Sequence, residues 1–195
     1  LRIGMAISLG LLQPGERLPD QEDVALGLSV SPITARRALA SLAEQGVLVR
    51  RRGRVGGTFV ADDPPRDVLA ELSASPAESQ AVNRLVDRRL LFECAVTHYA
   101  AVNATPEQLD ELERLTRDMA AAANWSDYHQ SDERFHQLVG DASGLGTAVG
   151  VYHQSLAELY DYFIPYPLDL LHKSNQDHVE LVKALRSGDV QAAVE

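Results

Sequence analysis

The stretch Ser31-Pro32-Ile33-Thr34-Ala35-Arg36-Arg37-Ala38-Leu39-Ala40-Ser41-Leu42 constrains the fold more than any other part of the chain. Ser31 is suited to cap a helix by accepting one of its first unpaired backbone N–H groups. Pro32 fits the first helical position, where no N–H is needed. Ala35, Leu39 and Leu42 recur at the spacing of one buried face, which leaves Thr34, Arg36 and Arg37 outside that stripe. Such a helix buries one side and offers a hydroxyl and guanidinium groups on the other. That is how a recognition helix meets base edges in a DNA major groove. Gly46 follows the helix and can take the left-handed backbone of a C-terminal cap.

The flanking residues complete a module. Ile3, Ile7 and Leu11 lie at helical spacing, and Gly10 to Gly15 end that helix. Asp20 reads as an N-cap, with Asp23 at the third helical position and Val24, Leu26 and Leu28 following. Ser29-Val30 is a short turn into the Ser31 helix, so the two form a helix-turn-helix. Residues 47–60 have two β-rich arms around a tip of Gly and Arg, which predicts a hairpin, the wing of a winged module. Arg50, Arg51, Arg52 and Arg54 would lie along phosphates, or one would enter the minor groove. Gly56 and Gly57 permit close backbone approach. A solvated basic hairpin is the alternative, and the neighbouring Ser31 helix is what favours DNA.

Charge sharpens this division. The net charge of −10 argues against a simple DNA-binding protein, but residues 1–66 hold nine basic and seven acidic residues while the remainder hold nine and 21. Residues 31–54 contain six Arg and one Glu. Such asymmetry marks a nucleic-acid module joined to something else. At 195 residues the chain has room for one large or two small domains. No apolar run approaches the roughly 18–20 residues of a membrane span, and the start is too short and interrupted for a signal peptide. Position 1 is not Met, in keeping with a trimmed sequence. Cys94 is the only cysteine, so an internal disulfide is excluded and a reducing cytoplasm is the expected compartment.

Asp62-Asp63-Pro64-Pro65-Arg66 breaks regular structure, Leu69 and Leu72 allow one loose helical turn, and Ser73-Ala74-Ser75 is small and polar. Residues 62–75 are therefore read as a linker between a winged helix-turn-helix at 1–61 and a second domain at 76–195. Ser75-Pro76-Ala77-Glu78 and Thr105-Pro106-Glu107-Gln108 are capping boxes, and Asn124 is a third helix start. Further helices are expected from about Leu145 to Ile164, from Leu168 to Ser187 with Gly188 as closure, and from Asp189 onward. The fold class is mainly α: an N-terminal winged helix-turn-helix followed by an all-α bundle.

The chemistry of the second domain lies on its third and fifth helices. Asp132 and His136, four apart, project from one helical face and can hold one ion. His129 lies one further turn back, and His178 lies on a helix able to pack beside them. A carboxylate with imidazoles suits Zn²⁺, Ni²⁺ or Mn²⁺ rather than Ca²⁺. Taken alone, Asp-x-x-x-His is more often a surface ion pair.

Two stretches resemble a known family. Gly10-Leu11-Leu12-Gln13-Pro14-Gly15-Glu16-Arg17-Leu18-Pro19, then Val30-Ser31, Arg36, Ala38-Leu39, Leu42, Gly46 and Gly57-Thr58-Phe59-Val60, resemble the winged helix-turn-helix of GntR-family bacterial regulators. Pro32 stands where many members have Arg, and Glu22 where some have a basic residue, so the operator cannot be borrowed from relatives. Asp132-Glu133-Arg134-Phe135-His136 is similar to the D-x-x-F-H segment of the FCD effector domain of the FadR-type branch. Residues 177–189 resemble its later His-to-Gly-Asp segment, and Arg89 with Glu93 its R-x-x-x-E pattern.

The resemblance implies a divalent metal held by one Asp and three His. Asp132, His136 and His178 match. The fourth, a His, would fall about five residues beyond Glu195, so the chain is truncated there or the site is three-coordinate plus water. His129, His153 and His172 are the candidates to substitute. The implied ligand is a small organic acid, with Arg89 gripping its carboxylate as a fork and Tyr99, Tyr152 and Tyr160 offering hydroxyls, unless these are packed core rings. The implied function is a ligand-responsive transcription regulator, not an enzyme and not membrane-bound. It would bind palindromic double-stranded operator DNA as a homodimer, with the helix near 145–164 in the interface. Two rivals use the same three residues. A metal hydrolase lacks a general base, since Glu133 points to another helical face. In a direct metal sensor the ion itself is the signal.

Overall fold

The computed structural model describes residues 2–8, 12–53, 56–73, 75–160 and 165–194, with the side chains of 76–78 left aside. The chain divides into two compact units, residues 1–80 with 162–167, and residues 81–161 with 168–195. Among the described residues no helix is long and apolar enough to cross a membrane.

The first unit contains α1 (Arg2–Ser8), α2 (Gln21–Gly27), α3 (Pro32–Glu44), β1 (Leu48–Arg51), β2 (Gly57–Val60) and α4 (Arg66–Leu72). Its starts follow the capping signals. Asp20 accepts from the backbone N–H of Glu22 and Asp23, and Ser31 accepts from Thr34. Gly46 ends α3 with a φ of 76°. Ala35, Leu39 and Leu42 are the buried residues of α3, sharing a core with Ile3, Ile7, Leu18, Val24, Val47 and Val60. β1 and β2 pair antiparallel, with Leu48 opposite Val60 and Arg51 opposite Gly57. Leu18 donates its N–H to Thr58 and Val60 donates to Glu16, so the 16–18 segment lines the free edge of β2.

Residues 66–72 form a helix rather than a loose turn within a linker. Val68, Leu69 and Leu72 pack on the first unit's core. A side chain at Gly4 would strike Leu72 Cβ at 2.6 Å, so glycine on α1 lets α4 sit directly on its backbone. Three apolar residues on one face are enough to hold a seven-residue helix that would be marginal alone.

The second unit is built from α5 (Pro76–Asn103), which enters it from Ala81, with α6 (Pro106–Ala121), α7 (Trp125–Ala142), α8 (Thr147–Tyr160), α9 (Leu168–Ser187) and α10 (Val190–Val194). Thr105 and Gln108 form the expected reciprocal capping box, and Asn124 caps α7 through Asp127. The Ser75–Glu78 capping box and the end of the helix before Pro165 fall outside the described side chains and residues. Val96, Leu112, Met119, Phe135, Tyr152 and Leu156 form the centre of the core. Asn175 is buried and donates to the backbone oxygen of Thr116 at 2.8 Å, which pins α9 to α6 one turn before His178. A side chain at Gly140 would meet the Tyr152 ring at 2.9 Å, so glycine lets α8 approach α7 closely.

Candidate nucleic-acid interface and candidate metal centre

In the first unit the α3 face opposite the core is a row of exposed side chains, namely Ile33, Thr34, Arg36 and Arg37. The Ser31 and Thr34 hydroxyls lie 2.9 Å apart, and Ser31 also accepts from the Thr34 N–H at 3.1 Å. The cap that starts the helix therefore also fixes the hydroxyl pair at its outer end. Arg36 and Arg37 enter no ion pair among the described residues, so their charge is available to a partner. On the hairpin, Arg50 and Arg52 are exposed and Arg51 is stacked over the Phe59 ring, 4.4 Å from its centroid. That contact holds the guanidinium over the ring of the neighbouring strand.

In the second unit Asp132, His136 and His178 each offer one donor atom, all within 4.8 Å of one another. The four-residue spacing brings Asp132 and His136 onto one face of α7, and α9 supplies His178. Asp132 Oδ1 lies 3.6 Å from His178 Nε2 and 3.9 Å from His136 Nε2, too far for hydrogen bonds. Donor atoms on an ion with bonds of about 2.1 Å stand about 3.0–3.4 Å apart, so small side-chain shifts would suffice. The three side chains are only 17%, 13% and 11% exposed.

Asp132 and His136 are held from behind by polar partners, while the buried His178 Nδ1 has no hydrogen-bond partner among the described residues. Tyr160 donates its hydroxyl to Asp132 Oδ2 at 3.1 Å, leaving Oδ1 toward the imidazoles. His136 Nδ1 faces Glu93 Oε1 at 3.3 Å, while its Nε2 lies 3.4 Å from Arg89 Nη2. Arginine only donates, so Nε2 carries the lone pair and Nδ1 the proton toward Glu93, the usual arrangement behind a metal-ligating histidine. Glu93 Oε1 also accepts from Arg89 Nε at 2.8 Å and from the Tyr152 hydroxyl at 3.4 Å. The Phe135 ring, fully buried, lies 4.7 Å from the His178 ring and 5.7 Å from the His136 ring.

Burial governs the protonation states. It lowers His178 to about 4, with the Arg89 charge adding to the effect, and lowers His136 well below its ordinary value, with Arg89 and His178 contributing. Burial pushes the Asp132 carboxyl up to about 6 against the pull of the Tyr160 hydrogen bond and of Arg89. Burial works against the Arg89 charge, but Glu93 more than offsets this and its pKa is raised. Burial and nearby carboxylates raise Tyr152 and Tyr160, which remain hydroxyl donors. At neutral pH the site presents two neutral imidazoles and one carboxylate, the donor set that fits Zn²⁺, Ni²⁺ or Mn²⁺. Beside it lies a cavity of about 340 Å³, its walls including Glu93, Thr97, His136, Tyr152, His178 and Leu181.

Two family descriptions divide the chain in the same way as its chemistry. Residues 1–60 match the bacterial regulatory proteins of the gntR family, and residues 84–195 match the FCD domain. The chain is a GntR-family transcription regulator with an FCD domain. It is 30% identical to the HTH-type transcriptional regulator RmpR of Mycobacterium gastri, covering 98% of this chain and 72% of that protein. It is 27% identical to the transcriptional repressor NanR of Escherichia coli, covering 92% and 71%. A solved GntR structure from Streptococcus agalactiae superposes with a TM-score of 0.53 at 25% identity, covering 99% of this chain and 90% of that one. These relatives are named as regulators, not as enzymes.

Within this GntR regulator the residues singled out by sequence are distributed unevenly. Asp132, His136 and His178 come together, with Arg89 and Tyr152 next to them. Tyr99 does not join them: it is 46% exposed, packs edge-on against His98 and does not line the cavity. His129 is stacked on Trp125, His153 bonds the Gln137 carbonyl and His172 lies near Tyr128. None of the three belongs to the cluster among the described residues. Arg54 lies outside the described residues. The close approach at Gly56 and Gly57 is to the chain itself, since a side chain at Gly56 would strike the Arg51 carbonyl oxygen and one at Gly57 the Arg17 side chain.

Two residues are added by the structure. Arg17, part of the string at residues 10–19 but given no role there, lies exposed across the hairpin strand at Gly57, forty residues away in sequence. Ile33 is 56% exposed on the recognition face, and its signal is an apolar residue off the buried stripe. Of the three tyrosines the sequence offered, Tyr160 and not Tyr99 supplies a hydroxyl to Asp132.

Proposed function

We propose that this regulator binds double-stranded operator DNA as a homodimer and answers to a small organic acid at a divalent-metal site, acting in the cytoplasm. The observation that carries the reading is the convergence of Asp132, His136 and His178 behind a cavity in a chain whose other unit bears unpaired cations. Residues 1–61 are the DNA-binding module. Ser31, Thr34, Arg36 and Arg37 would face bases, and Arg50, Arg51, Arg52 and Arg54 would follow phosphates. Residues 76–195 are the sensing module. Asp132, His136 and His178 would hold the ion, which supplies a Lewis-acidic position for a carboxylate. Arg89 then binds the same anion, and Tyr152, which donates to the Glu93 oxygen that also holds Arg89, lines the cavity beside it.

Leu91, Tyr99 and Val102 share one face of α5 and are 74%, 46% and 66% exposed. This supports a two-fold interface there, with Val151 of α8 exposed as a further contribution. A dimer offers two recognition helices to half-sites related by the same symmetry.

The test is binding to duplex fragments from the gene's own neighbourhood against random duplex at several salt concentrations. Arg36→Ala should lose about 1–3 kcal/mol on the specific fragment alone, while Arg50→Ala should weaken both and reduce the salt slope by about 1. Equal binding of both fragments by the wild-type protein at all salt concentrations would remove the operator reading.

A further inference from the structure

Arg89 is in an unusual place for a residue that only waits for an anion. Its Nη2 stands 3.4 Å from His136 Nε2, the atom that faces Asp132 Oδ1 and carries the lone pair. Its Nε is held at 2.8 Å by Glu93 Oε1, the same oxygen that faces His136 Nδ1. The guanidinium charge is felt at Asp132, His136 and His178 alike. The side chain is largely buried, so solvent screens this charge poorly.

We propose that Arg89 is a built-in competitor for the metal site: its guanidinium shares the His136 lone pair with any ion and holds the metal affinity down. The proposal rests on the reading of Asp132, His136 and His178 as ligands. Two effects act together. Arg89 places a positive charge beside the position of a second cation, and it donates to a lone pair that coordination requires. Glu93 limits both, by neutralising part of the charge and by taking up the Nε donor of Arg89. An anion that takes up Arg89 removes the competitor, so anion and metal ion favour each other's binding by one common factor. The metal site is thereby loaded most fully when the organic acid is present, without any direct bond between the two being needed for the coupling.

The removal of a site residue is then expected to strengthen binding, the reverse of what an ordinary supporting side chain would do. The measurement is the affinity of the full chain for Zn²⁺ and Co²⁺ alone, by competition with a chromophoric chelator at pH 7.5 in a buffer free of carboxylates. Arg89→Gln should bind the ion at least tenfold more tightly than wild type. Arg89→Lys, which keeps the charge, should stay within about threefold. Glu93→Gln should bind at least tenfold more weakly, having lost the counter-charge and the His136 partner. If Arg89→Gln alters the thermal melting profile, Arg89→Met, which keeps an aliphatic stem, takes its place with the same expected gain. Asp132→Asn should abolish binding in both the wild-type and the Arg89→Gln backgrounds, tying the gain to this site. Binding by wild type with no gain, or a loss, in Arg89→Gln and Arg89→Met overturns the proposal alone. Failure of wild type and every variant to bind either ion overturns the metal reading and the proposal with it.

Discussion

The two units use charge in opposite ways. On the first, Arg36, Arg37, Arg50 and Arg52 stand in solvent without ion-pair partners among the described residues. In the second, Arg89, Glu93, Asp132 and His136 are largely buried and each touches another. An exposed cation keeps its hydration until a polyanion replaces it, so it costs little to leave unpaired and its full charge meets the partner. A buried charge cannot be left alone, so the second unit must supply counter-groups, and those groups restrict where each side chain can sit. The same contrast separates a surface that attracts from a site that discriminates.

The contrast can be broken most sharply from the buried side. Phe135→Ala removes a fully buried ring that packs on both ligand imidazoles, and should cost about 3–5 kcal/mol in urea unfolding followed by circular dichroism. A loss below 1 kcal/mol would mean that the ring is not part of a close-packed support. Tyr160→Phe keeps the ring against His129 but deletes the hydroxyl on Asp132. Its metal affinity should fall roughly tenfold to a hundredfold, with a changed Co²⁺ absorption spectrum as Oδ2 is released. An unchanged spectrum and affinity would remove Tyr160 from the support of the site. The smallest effect is expected on the exposed unit, where Ser31→Ala loses the α3 cap and should cost about 1 kcal/mol in thermal stability. Its DNA affinity should fall further than that stability loss explains if the Ser31–Thr34 hydroxyl pair reaches bases, and in step with it if the pair only caps.

Much of the exposed unit is legible from sequence because its devices are local. Asp20 and Ser31 cap helices two or three residues ahead, Gly46 closes one behind, and the Ala35/Leu39/Leu42 stripe orients α3 without knowledge of its neighbours. The cluster on α7 was half legible for the same reason, since four residues of helix bring Asp132 and His136 together. The assignment of Tyr99 to the site fails because a spacing on α5 does not say which side of that helix the rest of the bundle covers. The segment after Asp62 likewise reads as a break followed by one loose helical turn, yet it holds the seven-residue α4, because Leu72 finds a partner at Gly4.

The chain's own order of residues determined where helices start and stop, which face of each is apolar, and that the charge is divided between its two parts. Capping and periodicity act within about four residues, so they are written directly into the sequence. Only the tertiary structure decided that Glu93 backs His136 across 43 residues, that Tyr160 and not Tyr99 bonds Asp132, and that Arg89 touches the imidazole lone pair. Those meetings depend on which helix faces pack together. That choice is made by the summed fit of the whole core, to which no single residue's spacing gives access.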